Sequence, residues 1–249
     1  MLDGLIDLIL PPVCLACDKL IAPGDAARFI CRRCRTRLRP PPPPICERCG
    51  APRLQTGRVT EANECAECAQ WPEQLRFART AFLMHPPVDR IVHQLKYRGW
   101  RALADQMAQP MAQTLARHEA ARNIRVISPV PTTKSRLRDR GYNQAELIAR
   151  GVAAHSGRDC ELLLERTNSK STQTTLQPAA RGANVAGAFQ LRENAAELIA
   201  NSHVLLIDDV MTTGATALEC ARVLVAHGAD AVSVLTYARA MDTRRLLAT

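Results

Sequence analysis

Four C-x-x-C pairs stand within the first 68 residues: Cys14/Cys17, Cys31/Cys34, Cys46/Cys49 and Cys65/Cys68. They space as C-x2-C-x13-C-x2-C and then C-x2-C-x15-C-x2-C. Zinc takes four soft ligands in a tetrahedron, and a C-x-x-C turn offers two thiolates to one ion. A single such turn could be a redox motif, but four of them suit two closed metal sites. Sequential pairing puts Cys14, Cys17, Cys31 and Cys34 on one Zn2+ and Cys46, Cys49, Cys65 and Cys68 on a second. Interleaved pairing is the alternative. Four thiolates leave no position for a reacting water, so the metal is expected to be structural. The segment is poor in apolar residues and is expected to need that metal to fold.

The opening MLDGLIDLIL carries Asp3 and Asp7 inside its apolar stretch and has no basic leader, which argues against a secretory signal. No apolar run approaches the ~18 residues of a membrane helix, so no membrane insertion is expected. A cytoplasmic location follows as the expectation, and disulfides are not expected. Of the net charge of +9, residues 1–79 supply 12 − 9 = +3 and the remainder 21 − 15 = +6. With two four-thiolate zinc sites at about −2 each, the lasting positive excess lies in the C-terminal part. A basic run (Arg28, Arg32, Arg33, Arg35, Arg37 and Arg39) is either a solvated face beside the thiolates or a surface for a polyanion.

Five consecutive prolines, 40–44, predict a stiff extended segment of ~3.1 Å per residue between the two cysteine sets. From about residue 77 the pattern changes. Strands are expected at 79–85, 126–130, 162–166, 204–209 and 231–239, and helices at 86–97, 102–120, 142–156 and 213–228. Alternating strands and helices imply an α/β domain with a parallel sheet covered on both faces. The expected division is a Cys-rich metal module over 1–76 and the α/β domain over 77–245.

The strongest chemical signal is VLLIDDVMTTGATALE, residues 204–219. A buried strand ends in Asp208 and Asp209, and a Thr/Gly loop then opens directly into a helix. Gly214 lets the backbone approach a ligand closely. The amides and dipole of the helix start favour a phosphate, and Thr212, Thr213 and Thr216 add hydroxyl donors. Two carboxylates beside a phosphate cradle can accept hydrogen bonds from vicinal sugar hydroxyls or hold a cation. Together they point to a phosphorylated sugar.

This stretch resembles the phosphoribosyl pyrophosphate motif of type I phosphoribosyltransferases. The chain as a whole resembles the ComF family of competence-associated proteins, in which a zinc module precedes a phosphoribosyltransferase domain. The likeness runs through LIDLILPPVCLAC, CERCG, HQLKYRG at 93–99, VPTTKSRLRDRGYNQAELIA at 130–149 and RTNSKSTQTTLQPAARGANVAGAF at 166–189. It departs slightly at Thr132, where a leucine is usual.

The resemblance implies that Asp208 and Asp209 hold ribose hydroxyls and that Met211, Thr212, Thr213, Gly214, Ala215 and Thr216 wrap the 5′-phosphate. It implies that the turn from Pro131 through Thr132 and Thr133 to Lys134 takes the pyrophosphate, with Arg136, Arg138 and Arg140 completing a positive rim. Residues 167–184 would form a closing loop with Lys170, Gln173, Arg181 and Asn184 as ligand-facing candidates. Lys96 and Arg98 would either approach the ligand or cap their helix.

The implied reaction transfers a ribosyl phosphate with Mg2+ and phosphoribosyl pyrophosphate, displacing pyrophosphate with an unidentified acceptor, in a setting of DNA uptake and natural transformation. The alternative is a non-catalytic module that binds phosphoribosyl pyrophosphate or DNA and docks a partner through its zinc part. Single-stranded DNA and a DNA-uptake or helicase protein are the candidate partners. Aromatic residues are only 4% of the chain, and no stacking platform is visible in its order.

Overall fold

A computed structural model describes residues 12–22, 25, 28–53, 65, 67–167 and 186–241. The longest apolar runs become its central strands. His203–Met211 (β6) and Ala231–Arg239 (β7) are buried along nearly their whole length, as strands covered on both faces must be. They are flanked by β2 (Ile124–Pro129) and β1 (Leu75–Leu83), with Asp159–Cys160 (β3) at the far edge. The order is β1-β7-β6-β2-β3, and every pairing is parallel. A separate antiparallel pair joins Leu164–Arg166 (β4) to Phe189–Leu191 (β5). The 162–166 segment is therefore a strand, but it does not join the parallel sheet.

The helices read from the sequence form at α2 (Val88–Tyr97), α3 (Leu103–Ala116), α5 (Gln144–Ser156) and α7 (Ala215–Ala226). In α2, Val88, Ile91, Val92 and Leu95 repeat at helical spacing and form the buried stripe. Short helices also form at Arg32–Arg35 (α1), Lys134–Arg140 (α4) and Ala196–Ile199 (α6). The α4 turn lies where only a loop was expected. Thr133 caps its start by accepting from the Arg136 amide at 3.1 Å, and Gly141 closes it in the left-handed conformation.

One hydrophobic core joins α2, α3 and α5 to one face of the sheet, and a second joins α7, β4 and β5 to the other. The cysteine segment takes part in both. Cys14, Leu15, Ile21, Ile30 and Cys34 belong to the first core, whereas Cys46, Cys49, Cys68 and Trp71 belong to the second. Between them the chain follows the open edge of β1. Leu83 N–H donates to Arg39 C=O at 2.8 Å, and Ala78 N–H to Arg48 C=O at 2.7 Å. The proline run lies between those two contacts. It is not uniformly extended: the chain bends at Pro43–Pro44, whose peptide bond is cis. The Arg39 and Arg48 carbonyls thus occupy two of the amides on the edge of β1, and the prolines between them have no amide donors to offer a further strand.

Candidate functional site: a polar cleft at the carboxyl edge of the sheet

The cysteines form two tetrads, Cys14/Cys17/Cys31/Cys34 and Cys46/Cys49/Cys65/Cys68, with the sulfurs of each within 4.8 Å of one another. The pairing is sequential. Cys17–Cys31, Cys46–Cys68 and Cys49–Cys65 sulfurs lie 3.8, 3.8 and 3.6 Å apart. A tetrahedron of Zn–S bonds of ~2.3 Å has edges of ~3.8 Å, so the tetrads fit Zn2+. Amides of Cys31 and Cys49 point at Cys14 and Cys46 sulfurs, as thiolate ligands require. Both sites are saturated by cysteine and therefore structural.

The chemistry lies elsewhere. Strand β6 delivers Asp208 and Asp209 to the carboxyl edge of the sheet. Residues 212–214 then turn into α7, with Gly214 at φ 79°, a conformation that favours glycine. Thr213 Oγ1 accepts from the Ala215 amide at 3.4 Å. Beside this turn a cleft of about 220 Å³ opens, bounded by Lys96 and Tyr97 from α2, Val130–Thr132 after β2, Arg136 and Arg140 from α4, and Asn143 and Gln144 at the start of α5. Arg166, Asp208, Asp209 and Thr216 complete it. A smaller cavity of about 30 Å³ adjoins it, lined by Met211, Thr212, Gly214, Ala215, Thr216 and Thr236.

The cleft carries opposed charges. Lys96 Nζ lies 2.7 Å from Asp209 Oδ1, and both side chains are largely buried. Asp208 accepts from the Asp209 amide at 2.8 Å. Burial, and then the neighbouring Asp209 charge, push its carboxyl up to about 7, against the pull of that amide, Lys96 and Arg136. Also lining the cleft, Arg140 donates from Nη1 to Gln144 Oε1 at 2.9 Å, and its guanidinium lies over the Tyr97 ring at 4.8 Å. Asn143 Nδ2 holds the Val130 carbonyl at 3.1 Å, tying the turn after β2 to α5. Arg166 packs over Phe189, and burial, with Arg136 near it, pushes its guanidinium pKa down.

Of the residues singled out in the sequence, Lys96, Thr132, Arg136, Arg140, Asp208, Asp209 and Thr216 meet in the cleft, and Met211, Thr212, Gly214 and Ala215 line the adjoining cavity. Thr133 and Thr213 spend their hydroxyls on helix starts. Only the Arg136 and Arg140 face of α4 lines the cleft, so Lys134 and Arg138 lie outside it: an i, i+4 pair shares a helix face and the alternate pair does not. Arg98 is the residue that ends α2. Lys170, Gln173, Arg181 and Asn184 lie outside the described residues. Tyr97, Asn143, Gln144 and Arg166 line the cleft and were missed. The one usable signal was Asn143–Gln144 at the start of a helix directly after a basic turn.

Two family models match the chain: a double zinc ribbon domain over residues 5–69 and a phosphoribosyl transferase domain over 137–247. The DNA utilization protein YhgH of Escherichia coli K12 is 28% identical over 94% of this chain and 100% of its own length. The competence protein ComFC of Bacillus subtilis is 26% identical over 91% of this chain and 95% of its own, and competence protein F of Haemophilus influenzae 26% over 86% and 92%. Among solved structures, a glutamine phosphoribosylpyrophosphate amidotransferase from B. subtilis matches 55% of this chain and 26% of that one, at 19% identity and a TM-score of 0.38.

Two closed tetrads ahead of a parallel sheet define a double zinc ribbon joined to a phosphoribosyltransferase domain. Relatives named for DNA utilization and competence match nearly its whole length, and with the two domains they fit the ComF family. No helix among the described residues is long and apolar enough to cross a membrane.

Proposed function

We propose that this chain binds phosphoribosyl pyrophosphate with Mg2+ and transfers the ribosyl phosphate to an acceptor. The observation that carries the reading is the juxtaposition in one cleft of the Asp208/Asp209 pair, the turn at Gly214 and the Arg136/Arg140/Arg166 wall. In this reading residues 1–76 are the metal module and 77–245 the transferase domain, which acts in the cytoplasm.

Asp208 and Asp209 accept hydrogen bonds from the ribose 2′- and 3′-hydroxyls, and the amides and hydroxyls of 211–216 receive the 5′-phosphate. Arg136, Arg140, Thr132 and Lys96 face the pyrophosphate. The acceptor forms its bond to the anomeric carbon as the carbon–oxygen bond to pyrophosphate breaks, and the electron pair leaves with pyrophosphate. The ring turns cationic on the way, and the carboxylate of Asp208 placed near it stabilises that charge. The hard carboxylate oxygens of this pair also suit Mg2+, which when bound would neutralise the leaving group.

The names of the relatives, DNA utilization protein and competence protein, support a link of this chain to DNA. The fold adds a second support. It sets Phe29 against Trp100 at 6.0 Å, close to Tyr97 and His93, which lie 5.0 Å apart on one helix. Tyr97 and Trp100 stay 62% and 42% exposed. Tyr97 already carries Arg140 over its ring, so in this reading Trp100 is the aromatic on which a base of single-stranded DNA stacks.

Titration calorimetry with Mg2+ and phosphoribosyl pyrophosphate tests the binding step. Pyrophosphate release, screened over bases, nucleosides and single-stranded DNA, tests transfer. Binding with release for one acceptor class is the expected result. Binding without release for any would turn the reading into a non-catalytic sensor of the same ligand, and no binding at all would end it.

A further inference from the structure

Gln144 is 3% exposed, yet it borders the open cleft. Its Nε2 is one of four buried side-chain nitrogen or oxygen atoms with no hydrogen-bond partner among the described residues. The orientation of its amide is not free. Arg140 offers only donors, so the atom 2.9 Å from Nη1 must be the carbonyl oxygen, and the NH2 group must face away. Arg140 is itself held over Tyr97, and Asn143 fixes the start of the helix by accepting from the Ala145 amide at 3.2 Å. A buried donor left unpaired costs free energy, and a native fold rarely leaves one without a use.

Another of these atoms, Thr236 Oγ1, borders the adjoining cavity at the Gly214 turn, which the phosphoribosyl pyrophosphate reading already gives to the 5′-phosphate. Gln144 instead borders about 220 Å³ whose lining includes Arg136, Arg140 and Arg166, while Lys96 there is paired with Asp209. An acceptor atom placed against Gln144 in those surroundings is an anionic oxygen.

We propose that Gln144, its amide oriented by the bond from Arg140, is a ligand-binding residue that donates its Nε2 hydrogens to the leaving diphosphate. This rests on the phosphoribosyl pyrophosphate reading and assigns one wall of the cleft within it. Arg136 and Arg166 supply charge there, whereas Gln144 supplies a fixed neutral donor. The wall therefore discriminates an oxygen-rich diphosphate from ribose 5-phosphate, which lacks that group.

The test measures the affinities of three probes, each with Mg2+: phosphoribosyl pyrophosphate, inorganic pyrophosphate and ribose 5-phosphate. Gln144→Met removes the donor at nearly constant volume. Gln144→Glu keeps an oxygen for Arg140 but presents a carboxylate to the ligand. Expected is a loss of about tenfold or more for both diphosphate probes in Gln144→Met and a larger loss in Gln144→Glu, with ribose 5-phosphate binding unchanged in both. Unchanged ribose 5-phosphate binding also shows that the variants are folded. The assignment is overturned if diphosphate affinity stays within about twofold of the parent in Gln144→Met, or if all three probes weaken equally. Failure of the parent chain to bind any of the probes would instead overturn the underlying reading.

Discussion

Asp208 shows at the residue scale what the site demands of the fold. Desolvation, and then the charge of Asp209 beside it, push the carboxyl of this half-buried residue up to about 7. In the unfolded chain it titrates near 3.8. Between those values the folded state holds a proton that the unfolded state has released. The group's contribution to stability is therefore fullest below about pH 4 and declines as pH rises to about 7. Asp208→Asn removes that penalty, so melts at pH 8 should show a gain on the order of 1 kcal/mol, shrinking at pH 5. The same change should remove most of the affinity for phosphoribosyl pyrophosphate, because a neutral amide no longer accepts from the ribose in the same way. In the unaltered chain that affinity should fall as pH is lowered from 8 to 6, which calorimetry at several pH values would show. A variant that is less stable at pH 8 and binds normally would refute both halves of this account.

At the element scale, the site depends on how closely α5 lies to α3. A Cβ added at Gly151 would come 2.6 Å from the Ala108 Cβ, far inside contact distance. The glycine lets α5 settle against α3, and α5 in turn carries Asn143 and Gln144 to the cleft. Gly151→Ala gains ~1 kcal/mol of helix propensity but must push the helices apart, a change of ~1–3 kcal/mol in the other direction. Urea denaturation should show a net loss for Gly151→Ala and recovery of part of it in the Gly151→Ala/Ala108→Gly double variant. Equal stability of the single variant and the parent would mean that the crossing is looser than 2.6 Å implies. Elements of this kind were the most legible part of the sequence. The run 204–209 reads as a strand because both its faces are buried, and the loop after it reads as a phosphate turn because its Thr and Gly residues are local. The α4 turn was hidden because its cap, Thr133, looked like one more ligand hydroxyl. Arg166 and Gln144 could not be placed, because what defines them is a wall assembled from α2, α4, α5 and β4.

On the scale of the whole molecule, the metal ribbon straddles the sheet, and its second tetrad sits beneath the candidate phosphate turn. The buried guanidinium of Arg239 donates to Cys49 C=O at 2.7 Å and reaches Met211 Sδ at 3.4 Å. Trp71, within the second core, lies 3.6 Å from where a Cβ on Gly214 would stand. Arg48 fastens the same corner by donating to the carbonyls of Cys68, Trp71 and Pro72. No comparable chain of contacts runs from the first tetrad to that turn among the described residues; its partners are α2 and the core beneath it. Loss of the second metal should therefore be felt in ligand binding, not in stability alone. Arg239→Ala should keep two zinc ions per chain yet weaken phosphoribosyl pyrophosphate binding by roughly 2- to 30-fold, the range of couplings transmitted through packed neighbours. Cys46→Ser/Cys68→Ser should bind one zinc and lose most affinity. Cys14→Ser/Cys34→Ser should also bind one zinc and melt lower, but retain more of the affinity. Zinc content by elemental analysis, paired with calorimetry on the same preparations, separates these outcomes. If the two cysteine variants lost affinity equally at equal loss of stability, the ribbon would be a clamp on the fold as a whole and not a pedestal for the turn at Gly214.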